Sequence, residues 1–222
     1  MSTQYGLKEV ADFYFFDTSD DITVHVDSDS VVTVDATVTS SEGTPSTVSA
    51  KFKFDTLKVS NLEFTSEETT ANGGKGNPDL ITWSYGKKAT LTLTDALLSA
   101  ETTKLMFGGK GKESTVGGEK VETITIGTNM FPDGYSMVGV TVMRNKTTQK
   151  DEPFIIYIPK GQPTVNNTIT LEAEGDPSTF EMSVKVMKAQ VDVDGTVTKD
   201  VLVQFIPLGE AVGDLRIGKV TD

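Results

Sequence analysis

The stretch LTLTDALLSAETTKLMFGG, residues 91–109, changes its hydrophobic period partway along its length. Leu91 and Leu93 alternate with threonines, and this alternation is typical of a half-buried strand. From Asp95 the apolar residues follow a helical spacing, which ends at two consecutive glycines. The sequence therefore predicts a strand followed by one amphipathic helix over about residues 95–107, with Asp95 as its N-cap.

The predicted helix carries one apolar stripe, for which we expect packing against a sheet. Its members are Leu97, Leu98, Leu105 and Met106. Leu98 stands where a capping box would place Glu or Gln, so no capping box is expected at Asp95. Lys104 lies in the predicted last turn, where a positive charge suits the helix dipole.

The remainder of the chain shows the alternation and turn signals of strands. DITVHVD (21–27) alternates apolar and polar residues, and Asp194-Gly195 is a strong two-residue hairpin signal. ANGGKGNPD (71–79) is the densest turn signal of the first half. LITWSYG (80–86) and KKATLTLT (87–94) then resemble the two arms of a hairpin, and GGKGKESTVGGEK (108–120) resembles a flexible loop.

These patterns predict a mainly β fold within a single domain over residues 1–222. No repeat of fixed period and no sharp change of composition marks a second domain. The simplest arrangement is two packed antiparallel sheets, as a β-sandwich or partly closed barrel, with one flanking α-helix.

Composition narrows the class of protein. The chain has 222 residues, no cysteine, one histidine and a net charge of −12. Absent cysteines exclude disulfides and thiolate metal sites, and the apolar runs are too short to span a bilayer. No signal peptide is visible in the first residues. We therefore expect a soluble protein made in a reducing cytoplasm, with no membrane segment.

The negative charge is concentrated in the first third. Through Gly74 there are 13 acidic residues against 4 basic ones. This sign opposes binding to DNA phosphates. Two interpretations stay open: the charge keeps the protein soluble, or an acidic surface allows an anionic molecule to pass without binding.

No arrangement of residues predicts catalysis, a metal site or a cofactor. His25 lies on the polar face of its strand, and a Ser–His–acid triad would have to use this one imidazole without a G-x-S-x-G elbow. NGGKGN and GGKGKEST do not fit phosphate-loop spacing. VDVDG would place Gln190 and Val201 at the first and twelfth positions of a calcium loop, so a hairpin turn explains it better. We expect the protein not to be an enzyme.

Two segments resemble a tail tube (major tail) protein of tailed bacteriophages. They are YGLKEVADFYFFD, residues 5–17, and the region 54–107, which begins FDTLKVSNLEFTSEETTANGGKGNPDLITWSYGKKATLTLTDALLS. The glycine-rich GGKGNP, the aromatic hairpin arm and LTLTDALLS recur together in that family. Residues 18–53 are longer and more acidic than the resemblance implies, which indicates an acidic insertion. Beyond Gly118 no motif is recognised.

The resemblance implies a virion structural protein made in the host cytoplasm, without enzyme activity or cofactor. It implies stacked hexameric rings that contact other phage tail proteins and through which DNA passes without specific binding. Closed rings would pair strand edges of neighbouring subunits, and the helix would cover one face of the inner sheet. Alternatively, the helix closes the end of a monomeric sandwich.

The glycine-rich turns are the predicted subunit interface, because they could become ordered on contact with a neighbour. The candidates are Asn72, Gly73, Gly74, Lys75, Gly76, Asn77, Pro78, Gly108, Gly109, Lys110, Gly111 and Lys112. The runner-up hypothesis is a non-enzymatic binding module, such as a capsid-decorating, neck or baseplate protein. A carbohydrate-binding sandwich is disfavoured by the single tryptophan, and an enzyme of unrecognised type is supported only by scattered carboxylates.

Overall fold

The computed structural model describes residues 4–39, 45–97, 99–164, 168–169 and 179–221. In these ranges the chain is mainly β with one short helix, as predicted. The strands are β1 (Tyr5–Leu7), β2 (Asp12–Asp17), β3 (Asp21–Val26), β4 (Val32–Thr39), β5 (Pro45–Ser49), β6 (Phe52–Phe54), β7 (Leu57–Asn72), β8 (Asp79–Asp95), β9 (Lys110–Val116), β10 (Glu119–Thr125), β11 (Tyr135–Asn145), β12 (Asp151–Pro163), β13 (Thr168–Ile169), β14 (Phe180–Val186), β15 (Ala189–Val193), β16 (Thr196–Val201), β17 (Gln204–Pro207) and β18 (Gly213–Thr221). The helix α1 is Ala100–Phe107.

The larger sheet is antiparallel and curls towards closure. Its main path is β6-β2-β11-β12-β14-β8-β7, with β1, β13 and β17 paired beside it. The end strands β6 and β7 are joined by residues 55 and 56 alone. Three Cα steps span at most about 11 Å, so the two ends of the path must lie close together. The backbone N–H of Ala11 also reaches across to Ser60 Oγ at 3.4 Å.

The concave face of this sheet encloses the first hydrophobic core. Phe13 and Phe15 of β2, Leu91 and Leu93 of β8, and Met182 of β14 belong to one buried cluster. Leu105 and Met106 of α1 are buried in the same cluster. The helix therefore covers part of the core that the curl leaves open.

A smaller sheet packs on the opposite face. It has the order β16-β15-β18-β3-β4-β5, and Ile22 and Val24 of β3 contribute to a second buried core with Phe16, Val138 and Tyr157 of the larger sheet. Strands β2, β11 and β12 are thus buried on both faces, which explains their nearly continuous apolar sequences. The predicted two-sheet arrangement with one helix is confirmed.

The segment predicted to be an acidic insertion forms part of this smaller sheet. Strands β3, β4 and β5 all lie within residues 18–53, and β3 pairs with both β4 and β18. The Asp194-Gly195 turn joins β15 to β16, and both residues have positive φ (50° and 82°). That hairpin is therefore where the sequence predicts it.

The prediction that LITWSYG and KKATLTLT form two arms of a hairpin is wrong. They form one strand, β8, which pairs with β7 on both sides of Gly86. Thr65 pairs with Lys88 and Glu67 with Tyr85, so one residue of β7 opposes Gly86 and Lys87 of β8. Gly86 has φ 63°, and a glycine of this kind forms a β-bulge within a continuous strand. The bulge interrupts the alternation of the strand, and in the sequence this interruption resembles a turn.

The prediction of a flexible loop over residues 108–120 is also wrong. Strands β9 and β10 pair in register from Lys110↔Thr125 to Val116↔Glu119 and form a separate two-stranded sheet. Gly117 and Gly118 have φ 62° and 92°, which suits a tight hairpin turn. Because the flanking residues are mostly polar and exposed, their sequence lacks the apolar alternation of a half-buried strand.

The helix begins later than predicted. Its N-cap is Ser99, and Ser99 and Thr102 form a capping box. Asp95 instead ends β8, where it pairs with both Leu57 and Phe180. Leu97 lies outside the helix and is 64% exposed, so its assignment to the buried stripe is wrong. Leu98 lies outside the described residues.

Candidate functional site

The outer half of the β7–β8 hairpin is a two-stranded ribbon that pairs with no other strand among the described residues. We call residues 66–85 the arm. In the part of the chain that the structure describes, the arm portions of β7 and β8 pair only with each other, whereas Ala89–Asp95 of β8 also pair with β14. Residues 79–88 are all exposed. Two-stranded ribbons are marginally stable alone in water, so the arm is an element that a neighbouring surface would stabilise.

One face of the arm carries three large apolar side chains. Ile81, Trp83 and Tyr85 alternate along β8 and share a face, with exposed fractions of 55%, 52% and 53%. On the other face, Leu80 is followed by the small polar residues Thr82 and Ser84. An exposed apolar row on a ribbon with unpaired edges is the type of surface through which proteins associate.

The first set of predicted interface residues forms the tip of the arm. Asn72 ends β7 and its side-chain amide donates to Asp79 Oδ1 at 2.6 Å. Asn77 N–H donates to the Gly74 carbonyl at 3.2 Å, and Gly73 N–H donates to the Pro78 carbonyl at 3.2 Å. Lys75 and Gly76 lie inside this turn. The tip is thus a hydrogen-bonded turn that presents exposed side chains at the end of the arm.

The second set lies elsewhere, between α1 and β9. Gly108 caps the helix with φ 66°, and a Cβ at this position would collide with the backbone of Phe131. A Cβ at Gly109 would collide with the Ile124 side chain, and a Cβ at Gly111 would collide with the Glu122 carboxylate. Packing against backbone within the subunit therefore explains Gly108, whereas a Cβ at Gly109 or Gly111 would require neighbouring side chains to move. Lys110 and Lys112 are exposed.

An apolar groove adjoins the base of the arm. We use this name for two connected depressions of about 520 and 550 Å³, which share Phe64 and Phe205. The first is bounded by residues 7–11 and 58–64, and the second by Lys87 and residues 198–205. The exposed apolar residues that line the groove are Leu7, Val10, Val59, Phe64 and Phe205.

The floor of the groove is aromatic. The ring of Phe205 stacks on Phe154 with centroids 6.0 Å apart, and it meets Phe64 edge-on at 6.4 Å. Lys87 Nζ lies 5.8 Å from the centroid of Phe64, within cation–π range. These contacts hold Phe64 and Phe205 in place while leaving their outer surfaces open to a partner.

The charged residues of the groove are mainly lysines. Four lysines and two acidic residues line it: Lys8, Lys58, Lys87, Lys199, Glu9 and Asp200. Lys8 donates to Asp151 at 2.8 Å, and this hydrogen bond raises the pKa of Lys8. Lys58 and Lys199 have no ion-pair partner among the described residues. The groove therefore offers positive charge beside its apolar floor.

The outer face of the smaller sheet is acidic, and it holds His25. His25 Nδ1 lies 2.7 Å from Asp214 Oδ1, and its Nε2 lies 3.9 Å from Asp35 Oδ2. Arg216 pairs with Asp21 and Asp194, whose carboxylates raise the pKa of the guanidinium. His25 is thus a surface residue, as predicted. No cluster of metal-binding side chains occurs in the described ranges.

Tyr157 and Glu152 are buried side chains with polar groups that lie outside the groove. Burial raises the pKa of Tyr157 to about 12, so its phenol is neutral at physiological pH. Glu152 Oε1 accepts hydrogen bonds from Asn145 Nδ2 at 2.9 Å and Thr148 Oγ1 at 3.2 Å. Glu152 therefore braces the connection between β11 and β12. Neither residue lines the groove.

The sequence identified the arm tip and missed the groove. The alternation of Ile81, Trp83 and Tyr85 beside a glycine-rich turn was a usable signal for an exposed ribbon. The groove gives no such signal, because its walls come from β7, β17 and the segment after β1, which are far apart in sequence.

Comparison with known proteins gives one family match. The model of the family described as YomU/Tube protein family matches residues 36–114 and 103–199. Together these matches cover more than half of the chain, and they include the arm and α1. No curated protein matches the chain. None of the described residues forms a helix that is both long and apolar enough to cross a membrane.

Proposed function

Because this chain belongs to the YomU/Tube protein family, we propose that it is the tube subunit of a phage tail. Family membership supports a phage structural protein of the tube type. In the proposal, subunits polymerise as stacked hexameric rings, contact other tail proteins, and form a DNA-conducting channel in the virion. The subunit needs no cofactor and catalyses no reaction.

The observation that carries the proposal is the arm. Its face bearing Ile81, Trp83 and Tyr85 is solvated in the single subunit, and no strand of the described ranges pairs with its edges. Burial of apolar surface is worth about 25 cal/mol per Å², and aromatic side chains contribute 150–250 Å² each when buried. A polymer in which every arm meets a neighbour gains this free energy at each contact.

The non-enzymatic part of the proposal is supported by where the titratable groups lie. The only histidine stands between two aspartates on an exposed sheet face. The groove is lined mainly by apolar residues and lysines, which favours contact with another protein surface over proton transfer. This supports a structural role.

The acidic outer face of the smaller sheet is our candidate for the channel wall. Asp21, Asp35, Asp192, Asp194 and Asp214 lie in or beside its strands. DNA carries about one negative charge per 1.7 Å of its axis, so exposed cations on the wall would retain it. An acidic wall repels the duplex within a Debye length of roughly 8 Å at physiological ionic strength. DNA would then pass without specific binding.

Electron microscopy of the purified protein tests the tube proposal. We expect a monomer or small oligomer that polymerises slowly, or on a template, into rings or tubes visible by negative stain. Light scattering over a concentration series would follow the same process. A protein that stays monomeric at high concentration, even with its tail partners, would contradict the proposal. Binding to capsids without self-assembly would instead support the capsid-decorating alternative.

A further inference from the structure

We propose that the arm of one subunit binds in the groove of a second copy of the chain. In this contact Ile81, Trp83 and Tyr85 lie against the aromatic floor formed by Phe64 and Phe205. The inference rests on the proposed function, since it names the contact through which tube subunits join.

The two surfaces match in chemistry. The arm presents a row of three exposed apolar side chains, and the groove presents exposed apolar side chains around Phe64 and Phe205. Each depression, at about 520 and 550 Å³, lies within the size range of pockets that enclose a small organic group. Aromatic rings in such pockets dominate the binding energy of protein interfaces.

The arm cannot fill the groove of its own subunit. Phe64 and Lys87 both line the groove; Lys87 is one of the two bulge residues of β8, and Phe64 lies on β7 just before the bulge from which the arm extends. Trp83 is four residues beyond Lys87 on the same strand, which is about 13 Å at the rise of an extended chain. The arm therefore leads away from the groove at its own base, and the occupant has to come from another copy.

The charges of the two surfaces are complementary. The arm contains Glu67, Glu68 and Asp79 against the single basic residue Lys75. The groove is lined by four lysines and two acidic residues, and its Lys58 and Lys199 lack ion-pair partners among the described residues. Opposite charges of this kind steer association and fix the orientation of the partners.

The contact is heterologous, because arm and groove are different surfaces of the same molecule. Each subunit donates one arm and accepts another, so addition can continue from subunit to subunit. Such a head-to-tail contact closes into a ring or continues as a helical filament, depending on the rotation between neighbours. Either result is a repeating assembly.

Complementary variants test the pairing. Trp83→Ser/Tyr85→Ser removes the arm contact but keeps the groove, and Phe205→Glu places a negative charge in the groove but keeps the arm. At concentrations where the unmodified protein assembles, we expect each variant alone to stay monomeric; assembly should need a concentration at least about tenfold higher. An equimolar mixture should form a dimer, measured by light scattering after size exclusion, because one functional contact remains. Thr82→Ala/Ser84→Ala, on the other arm face, should assemble like the unmodified protein.

Disulfide trapping gives a second readout that does not depend on loss of assembly. The chain has no native cysteine, so Trp83→Cys mixed with Phe205→Cys can form only introduced disulfides. We expect cross-linked heterodimers under oxidation, and few from Ser84→Cys mixed with Phe205→Cys. If tubes form without the expected cross-link, this inference is wrong but the tube function is not contradicted. The same holds if Trp83→Ser/Tyr85→Ser forms tubes like the unmodified protein. Cross-linking without any polymer would keep the contact and overturn the tube function.

Discussion

Asp95 and Ser99 are both residue types that cap helices, and the structure assigns them different tasks. Asp95 is held in the sheet by Leu57 and Phe180 on its two sides, and its carboxylate accepts a hydrogen bond from Thr56 Oγ1 at 2.6 Å. Ser99 Oγ accepts the N–H of Thr102, whose hydroxyl in turn accepts the N–H of Ser99. Local capping preference cannot choose between the two, because the choice depends on strand partners that are distant in sequence.

Leu105 and Leu97 form a matched pair for testing helix packing. Leu105 is buried against the first core and Leu97 is exposed. We expect Leu105→Ala to lower the free energy of unfolding by about 2–5 kcal/mol, because it leaves a cavity. Leu97→Ala should change it by no more than about 0.5 kcal/mol. Urea denaturation followed by circular dichroism measures both, and equal effects would contradict the burial of this helix face.

Asp20 gives a pH-dependent prediction. Burial raises its pKa above the usual value, although its Oδ2 accepts the Asp17 N–H at 3.0 Å. Between the ordinary aspartate pKa and the raised pKa of the folded state, the folded protein binds the Asp20 proton more tightly than the unfolded chain does. The free energy of unfolding therefore falls as pH rises through this window. Asp20→Asn should therefore raise the melting temperature at pH 7 and have little effect well below both pKa values.

The exposed Asp29 provides the control for that measurement. Asp29→Asn should not reproduce the pH dependence of the Asp20 variant in thermal melts. If Asp20→Asn lowered stability equally at all pH values, its hydrogen bond would outweigh the burial of its charge.

At the scale of elements, glycines give different structures in similar sequence settings. Gly86 forms a bulge within β8, whereas Gly117 and Gly118 form the turn between β9 and β10. All three have positive φ, so local sequence identifies an unusual backbone at each. Whether the chain continues or reverses depends on the partner strand. Strand β7 runs alongside β8 past Gly86 and keeps it continuous.

The arm should change its hydrogen-exchange behaviour on assembly. Its ladder is two-stranded and exposed, so we expect the amides of residues 66–85 to exchange rapidly in the free subunit. The amides of Ala89–Asp95 in β8 and Phe180–Val186 in β14, which pair with each other, should be protected in both states, because these strands line the first core. Exchange measured by mass spectrometry on monomer and polymer tests this. Protection of the arm already in the monomer would contradict its role as an interface.

At the scale of the whole molecule, the curled larger sheet separates two cores. Neighbouring residues of β2, such as Phe15 and Phe16, belong to different cores, and so do Tyr157 and Ile158 of β12. The smaller sheet covers one face and α1 closes part of the other. The arm is left outside both cores, and a group of aspartates lies on the outer face of the smaller sheet.

The charge distribution predicts that the subunit does not bind double-stranded DNA at physiological salt. The net charge is −12, and the proposed channel wall carries several aspartates. An electrophoretic mobility shift at low and moderate salt measures this, with Asp35→Lys/Asp192→Lys as a variant expected to gain salt-sensitive binding. A shift by the unmodified protein that persists at moderate salt would contradict an acidic channel that DNA passes freely.

The sequence by itself determined the β class, the hairpin at Asp194-Gly195, the turn at the arm tip and the surface position of His25. These features follow from local periodicity, from the backbone freedom of glycine, and from the polarity of alternating side chains. Tertiary structure decided where β8 ends and α1 begins, that residues 110–125 form a hairpin, and that Leu97 is exposed. It alone brought β7, β17 and residues 7–11 together as a groove. The physical reason is that strand pairing and the curl of a sheet depend on contacts between distant segments, which no local pattern encodes.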